Sequence, residues 1–280
     1  MIGCSDTIAA ASVGSVVALS AKTGELKWHY QFTPHDTHDW DATQPMVLVD
    51  ENWQGQPRKL LLNGNRNGMF YVLDRVTGQF LLADKLATKV TWNTGFTKDG
   101  KPIVDPASIA SVDGAAACPA ALGGANWPSA SYNPMTKLFY TRVSDSCGIF
   151  TAQKDDPLRT DNRWMGGVAR GTTNPAVQEA FDKLMADYPG GTFIRAMDPF
   201  TGKKVWDYAG GGSGVLTTAG GLLFMSGGGG MIALDAKTGK LVWQVNLGAS
   251  SSAAPMTYMY GGKQYIVLAG STSVVAYTIR

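Results

Sequence analysis

An apolar strand, a four-residue turn ending in Thr-Gly and a second strand carrying tryptophan recur along this chain, cleanly at Val17 to Tyr30, Ile194 to Tyr208 and Met231 to Val245. The third copy, Ile-Ala-Leu-Asp-Ala-Lys-Thr-Gly-Lys-Leu-Val-Trp, is the sharpest, and degenerate copies lie at Phe70 to Leu82 and Ser131 to Thr141. The turn has a physical logic. Asp or Ser at its start accepts the backbone N–H groups ahead of it, and Gly takes the positive φ that a hairpin of this type needs. Each repeat is therefore a hairpin. Further apolar runs predict strands at Met46 to Val49, Lys59 to Leu62, Leu222 to Met225, Met256 to Met259, Gln264 to Leu268 and Val274 to Ile279. Four-stranded units repeated in this way predict the blades of a β-propeller, because one such sheet cannot bury both faces alone and radial stacking completes the core. The expected fold is all-β and a single domain over residues 1–280, with Trp28, Trp206 and Trp243 buried between neighbouring blades.

One segment breaks the pattern. Asn174-Pro175 followed by Val177, Phe181, Leu184 and Met185 has a capping residue, proline in the first turn and an apolar stripe at helical spacing, ended by Pro189-Gly190-Gly191. It predicts a helix inserted at the surface and packed on a blade edge. The stretches Lys98 to Ala125 and Ser144 to Thr173 are too long for simple connections and read as loops that cover a site or carry a partner contact.

Composition fits many short strands joined by tight turns: 34 glycines, 8 tryptophans and only 16% charged residues. A net charge of +2 with no basic stripe gives no reason to propose nucleic acid as a partner. No apolar run approaches the roughly 20 residues that span a bilayer. The opening residues, Met-Ile-Gly-Cys-Ser-Asp, show neither the basic nor the apolar region of a secretory signal.

Against so sparse a background of charge, residues 33 to 41, Thr-Pro-His-Asp-Thr-His-Asp-Trp-Asp, stand out. Asp39 and Asp41 are two apart, so on an extended strand both carboxylates would face the same side and could share one hard cation. They could equally be solvated turn carboxylates. His35 and His38 invite a zinc reading, but no third nitrogen or sulfur ligand has a recognisable spacing. Arg66, in Gly-Asn-Arg-Asn-Gly, could be an exposed hairpin tip, and Asn126-Trp127 a strand entry with a packed indole. The glycine runs at 210–214 and 227–230 precede no helix, which fails the context test for a dinucleotide loop; they read as blade turns lining a central channel.

With Thr-Gly-Glu-Leu-Lys-Trp upstream and Asn-Arg-Asn-Gly-Met-Phe-Tyr-Val-Leu-Asp-Arg downstream, this stretch resembles the active-site region of the pyrroloquinoline quinone (PQQ) dependent methanol/ethanol dehydrogenases. The resemblance runs from about Val13 to the C-terminus and corresponds to the later part, about half, of that family's eight-bladed propeller. It implies oxidation of a primary alcohol or sugar by hydride transfer to the quinone. Asp39 matches the base that takes the hydroxyl proton and also a metal ligand. Asp41 matches the additional carboxylate of members that use a lanthanide, with calcium the alternative ion. Arg66 matches the arginine that hydrogen-bonds the quinone oxygens, and Asn126, with Trp127 beside it, matches a side chain that holds the cofactor. Cys118 and Cys147 resemble a disulfide pair of the family, leaving Cys4 unpaired; three buried reduced cysteines remain the alternative.

The resemblance also implies a small alcohol substrate, a periplasmic location and, with no Cys-x-x-Cys-His haem motif present, a separate cytochrome c as electron acceptor. The family's other metal ligands, its adjacent-cysteine disulfide and a stacking tryptophan lie upstream of the matched region. The chain reads as beginning with the last two strands of one blade and ending with the third strand of another. Two such ends could pair within the chain, a homodimer could complete the ring, or a missing N-terminal half could do so. A noncatalytic propeller serving as a protein-binding scaffold is the alternative function; Asp39, Asp41, Arg66 and Asn126 together discriminate, since a scaffold has no use for that set.

Overall fold

The computed structural model describes residues 14–152, 172–188, 190–248, 251, 253–270 and 272–278. Five antiparallel sheets follow one another along the chain. The first is the hairpin β1 (Ser15–Leu19) and β2 (Leu26–Gln31). The second contains β3 (Val47–Trp53), β4 (Gln56–Gly64), β5 (Met69–Asp74) and β6 (Phe80–Lys85) in that order. An excursion then forms β7 (Asn93–Phe96) paired with β8 (Pro102–Val104), and β9 (Ala115–Ala117). The third sheet is β10 (Ser131–Asn133), β11 (Leu138–Asp145), β13 (Gly191–Met197) and β14 (Lys204–Ala209); between its second and third strands lie β12 (Gly148–Phe150) and the helix α1 (Pro175–Ala186). The fourth is β15 (Val215–Thr217), β16 (Leu222–Gly227), β17 (Gly230–Asp235) and β18 (Leu241–Asn246), and the fifth β19 (Met256–Tyr260), β20 (Lys263–Ala269) and β21 (Val274–Thr278).

Every core cluster but one lies between successive sheets, as a propeller requires. Leu61, Tyr71 and Leu73 meet Tyr30 of the first sheet and Phe32 just beyond its end. Their strand neighbours Leu60, Leu62, Phe70 and Val72 point the other way, onto Phe139, Val143 and Met197 of the third. Both faces of β5 are thus covered, and all six of its residues are buried without polar alternation. The same division places Ile194 against Leu223 and Leu234, and Phe224 and Met231 against Ile266 and Leu268.

The Thr-Gly hairpins lock neighbouring sheets together. Asp74 Oδ1 accepts the N–H groups of Val76 and Thr77, and Asp235 Oδ1 accepts the N–H of Thr238, as the turn chemistry predicts. The Trp28 indole lies over Gly78 and donates to Arg75 O at 3.1 Å, and Trp206 lies over Gly239 and donates to Ala236 O at 3.2 Å. Leu82 takes the tryptophan's place over Gly202. Trp28 and Trp206 are thereby partly buried, and Trp243 departs further from the expected burial: it is 38% exposed and rests edge-on against Tyr277, because the fifth sheet presents that ring to it and not a Thr-Gly turn. A Cβ at Gly239 would lie 2.6 Å from the Trp206 ring at φ 71°, whereas Gly24, at φ 73°, has open space. Gly239→Ala is therefore expected to lose about 2–3 kcal/mol by strain and overpacking together, and Gly24→Ala about 1 kcal/mol by strain alone, read from denaturant midpoints.

Two further expectations are corrected. The stretch Lys98 to Ala125 is not a plain loop: it contains β8, a short 3₁₀ turn at Pro106–Ser108 and β9, which pairs with β12 from the second long stretch. The helix forms where expected, with Asn174 Oδ1 accepting the Ala176 N–H, but it does not pack on a blade edge. Phe181, Leu184 and Met185 cover a disulfide between Cys118 and Cys147, since its stripe needs an apolar partner and this excursion supplies one. The two- and three-stranded end sheets share no hydrogen-bonded strand pair among the described residues. Cys4 lies outside those residues.

Candidate active site

In the second sheet the strands alternate in direction, so the start of β3, the β4–β5 turn and the exit from β6 share one end. Arg66 sits in that turn, Asp39 and Asp41 in the β2–β3 connection, and Asn126 in the connection from the second sheet to the third. The fold itself therefore gathers them.

The turn around Arg66 is held by its asparagines. Asn65 Oδ1 accepts the Asn67 N–H, Asn67 Oδ1 accepts the Met69 N–H, and the Asn67 amide donates to Phe32 O and Thr33 Oγ1, each at 3.0–3.1 Å. Trp92 Nε1 donates to Asn67 O at 2.6 Å. Arg66 is thereby fixed with only 12% of its side chain exposed, and its Nε donates to Ala121 O at 2.9 Å. Its two terminal nitrogens stay free for the carboxylates: Nη2 lies 3.5 Å from Asp39 Oδ2 and Nη1 lies 3.5 Å from Asp41 Oδ2.

Asp39 and Asp41 do not reach Arg66 by strand geometry. Their segment forms no strand, and Asp39 has φ 64°. The carboxylates converge because inner and outer residues alternate: His38 and Trp40 are buried, while the Asp39 and Asp41 side chains are 41% and 62% exposed. Asp36, with 5% of its side chain exposed, accepts the N–H groups of His38 and Trp40 at 2.8 and 2.7 Å. His38 stacks on Trp40 with ring centroids 4.0 Å apart, and its Nε2 is 2.7 Å from Ser108 O. It is a packing residue, and no group of three metal-ligating side chains exists among the described residues. Partial burial raises the Asp39 carboxyl above its ordinary value; Arg66 opposes this, while Asp41 and Asp36 add to it.

The Gly123–Gly124 segment wraps Arg66. Gly124 N donates to Arg66 O at 2.8 Å, and a Cβ at Gly123, whose φ is 81°, would overlap the arginine. Asn126 follows directly, but its amide turns back on its own loop: Nδ2 donates to Leu122 O at 2.9 Å and Oδ1 accepts the Trp127 N–H at 2.8 Å. Trp127 is 60% exposed. Asp39, Asp41 and Arg66 are thus in contact, with Asn126 and Trp127 on the loop that covers the arginine. Asp36, Trp40 and the Ala120–Ala121 carbonyls were missed from sequence. Asp36 carried a detectable signal, since an aspartate that bonds N–H groups two and four residues ahead is a recognised loop brace; two alanine carbonyls carry none.

The donor set decides what could bind here. Two partly exposed carboxylates offer only oxygen, which suits a hard cation and not a thiophilic one. The adjoining guanidinium suits an anionic or carbonyl oxygen. Both fit a metal-assisted quinone.

The stacked antiparallel sheets are those of a β-propeller, and similarity to known proteins gives its quinoprotein type. Residues 9–85 and 209–266 match the family model described as glucose/ethanol/alcohol dehydrogenase, beta-propeller domain. The chain is 36% identical over 265 residues to the quinoprotein alcohol dehydrogenase PedH of Pseudomonas putida, covering 90% of this chain and 42% of that protein. It superposes on the quinohemoprotein alcohol dehydrogenase of Comamonas testosteroni with a TM-score of 0.77 at 32% identity, over 94% of this chain and 39% of that one. For a europium-containing methanol dehydrogenase the TM-score is 0.73 at 28% identity, over 92% and 44%. The chain belongs to the PQQ-dependent alcohol dehydrogenase family, and it spans about two-fifths of the length of these relatives.

Proposed function

We propose that this chain carries the base-bearing side of a PQQ- and metal-dependent alcohol dehydrogenase site. The observation that supports this most is the approach of Asp39 and Asp41 to separate nitrogens of one fixed arginine. When bound, the quinone supplies an acceptor for hydride from the alcohol carbon, and a lanthanide or calcium ion supplies a Lewis acid that polarises it. Asp39 and Asp41 would hold the ion, and Arg66 and Trp127 the quinone, with Asn126 joining them once its amide leaves Leu122 O.

Asp39 is the residue that takes the proton from the substrate hydroxyl. Its raised basicity, caused first by burial, favours that role, and Arg66 keeps the carboxylate facing the open side of the site. Arg66 also offers a preorganised positive charge to developing negative charge on an oxygen, with no side chain to reorganise. The substrate is a small primary alcohol or a sugar, electrons leave to a separate cytochrome c, and the setting is the periplasm.

Titration of the purified chain with PQQ, first with calcium and then with a lanthanide, tests the reading. Saturable, metal-dependent change in quinone absorbance is expected, and its loss in Arg66→Ala. Binding of PQQ that ignores both the ion and Arg66 would contradict the assignment.

A further inference from the structure

Asp39 and Arg66 belong to separate connections, and their 3.5 Å approach needs a common reference. One lies beneath them. Trp40 is fully buried, stacked on His38 and packed against Trp92 and Phe150 at centroid distances of 5.7 and 5.8 Å. Its indole N–H donates to Ala120 O at 3.1 Å. The next carbonyl, Ala121 O, accepts Arg66 Nε at 2.9 Å. Successive carbonyls of one short segment therefore hold the loop of the base and the arginine opposite it. That segment is anchored in turn, since Ala120 N donates to Ser146 O at 2.9 Å and Cys118 is bonded to Cys147. On the other side Asp36 Oδ2 accepts the backbone N–H of Trp40 at 2.7 Å, which braces the loop backbone that carries Asp39.

We infer that Trp40 is a positioning residue, whose single N–H bond to Ala120 sets the separation of Asp39 and Arg66. The inference rests on the proposed roles of those two residues. A buried indole could serve packing alone; the geometry separates the functions, because phenylalanine keeps an aromatic ring among His38, Trp92 and Phe150 and removes only the donor and the second ring.

Trp40→Phe tests it, with Trp28→Phe as the control that deletes an equivalent indole bond, to Arg75 O, at a Thr-Gly turn. Two readouts are needed. Solvent exchange of the Arg66 Nε proton, followed by NMR, is expected to quicken about tenfold in Trp40→Phe and not in Trp28→Phe, the scale of one lost hydrogen bond. Terbium(III) luminescence titration is expected to show weaker ion binding in Trp40→Phe by a similar factor, with Trp28→Phe unchanged. Asp36→Asn, which loosens the backbone brace that seats Trp40 without opening the core, is expected to move both readouts in the same direction and decides the matter should Trp40→Phe fail to fold. Unchanged Arg66 exchange in folded Trp40→Phe, or in Asp36→Asn where that variant is the one available, overturns the inference. If the unmodified protein takes up no terbium, the metal assignment falls, while the exchange measurement still decides the role of Trp40.

Discussion

Asp39→Asn is expected to lower alcohol turnover by about 10³-fold or more with either ion, because asparagine fills the same space and cannot take a proton. The structure gives the substitution little else to do. Asp39 side-chain exposure is 41%, its contact with Arg66 is a long one at 3.5 Å, and its backbone φ of 64° is one that asparagine adopts readily. Folding should therefore be preserved. Asp41→Ala should behave differently: its carboxylate is more exposed, at 62%, and meets only the other nitrogen of Arg66. A trivalent ion loses more than a divalent one when an anionic ligand is removed, so lanthanide-supported activity should fall far more than calcium-supported activity. Steady-state kcat in a reconstituted preparation with added PQQ checks both. Turnover of Asp39→Asn at the unmodified rate would remove the catalytic role from this residue.

The parts of this molecule that could be read in advance are those whose causes are local. Asp74 and Asp235 bond N–H groups two or three residues away, and the glycines that follow supply the turn conformation, so each hairpin is written within about a dozen residues. The helix is similar, with its cap, proline and stripe all in sequence. Propeller stacking then follows, because residues such as Leu60 to Leu62 must be covered on both faces.

The site was legible only as a set of residue types. Asp39, Asp41 and Arg66 stand out by charge, but no strand brings the two carboxylates to one side: a left-handed Asp39 and a brace from Asp36 turn them outward, and neither is visible as periodicity. The pairing of β9 with β12 joins Ala115–Ala117 to Gly148–Phe150, runs with no polar alternation to advertise a strand. Trp243 shows the limit of a motif, since whether an indole is covered depends on what the following sheet presents to it.

Arg195 illustrates the same limit with a larger consequence. A charged residue within a strand reads as solvent-facing, yet its side chain is 2% exposed. Its Nε and Nη2 bond both oxygens of Asp207 at 2.7 and 2.9 Å, Nη2 also meets Asp145 Oδ2 at 3.2 Å, and Nη1 donates to Leu86 O. Asp145, 3% exposed in its side chain, further accepts the N–H and hydroxyl of Thr88 at 2.9 and 2.5 Å. The network pins the third sheet to the exit from the second.

Arg195→Met is therefore expected to destabilise the fold by about 3–5 kcal/mol, the cost of leaving a buried carboxylate without its cation. Adding Asp145→Asn should recover part of that loss, since the uncompensated charge goes with it. The pH dependence provides a second check. Burial pushes the Asp207 carboxyl up, but hydrogen bonds and charge from Arg195 and Lys204 outweigh it and hold the group below its ordinary 3.8. A carboxyl depressed by folding adds stability that is fully present above its unfolded value and disappears as pH falls through its folded one. The unmodified protein should accordingly lose stability as pH drops below about 4. In Arg195→Met that slope should be shallower, because Lys204 alone remains at 2.9 Å to depress Asp207. Guanidinium midpoints at pH 7 and pH 3 measure both effects, and equal stabilities of the two proteins at pH 7 would show that the buried pair does not hold these sheets together.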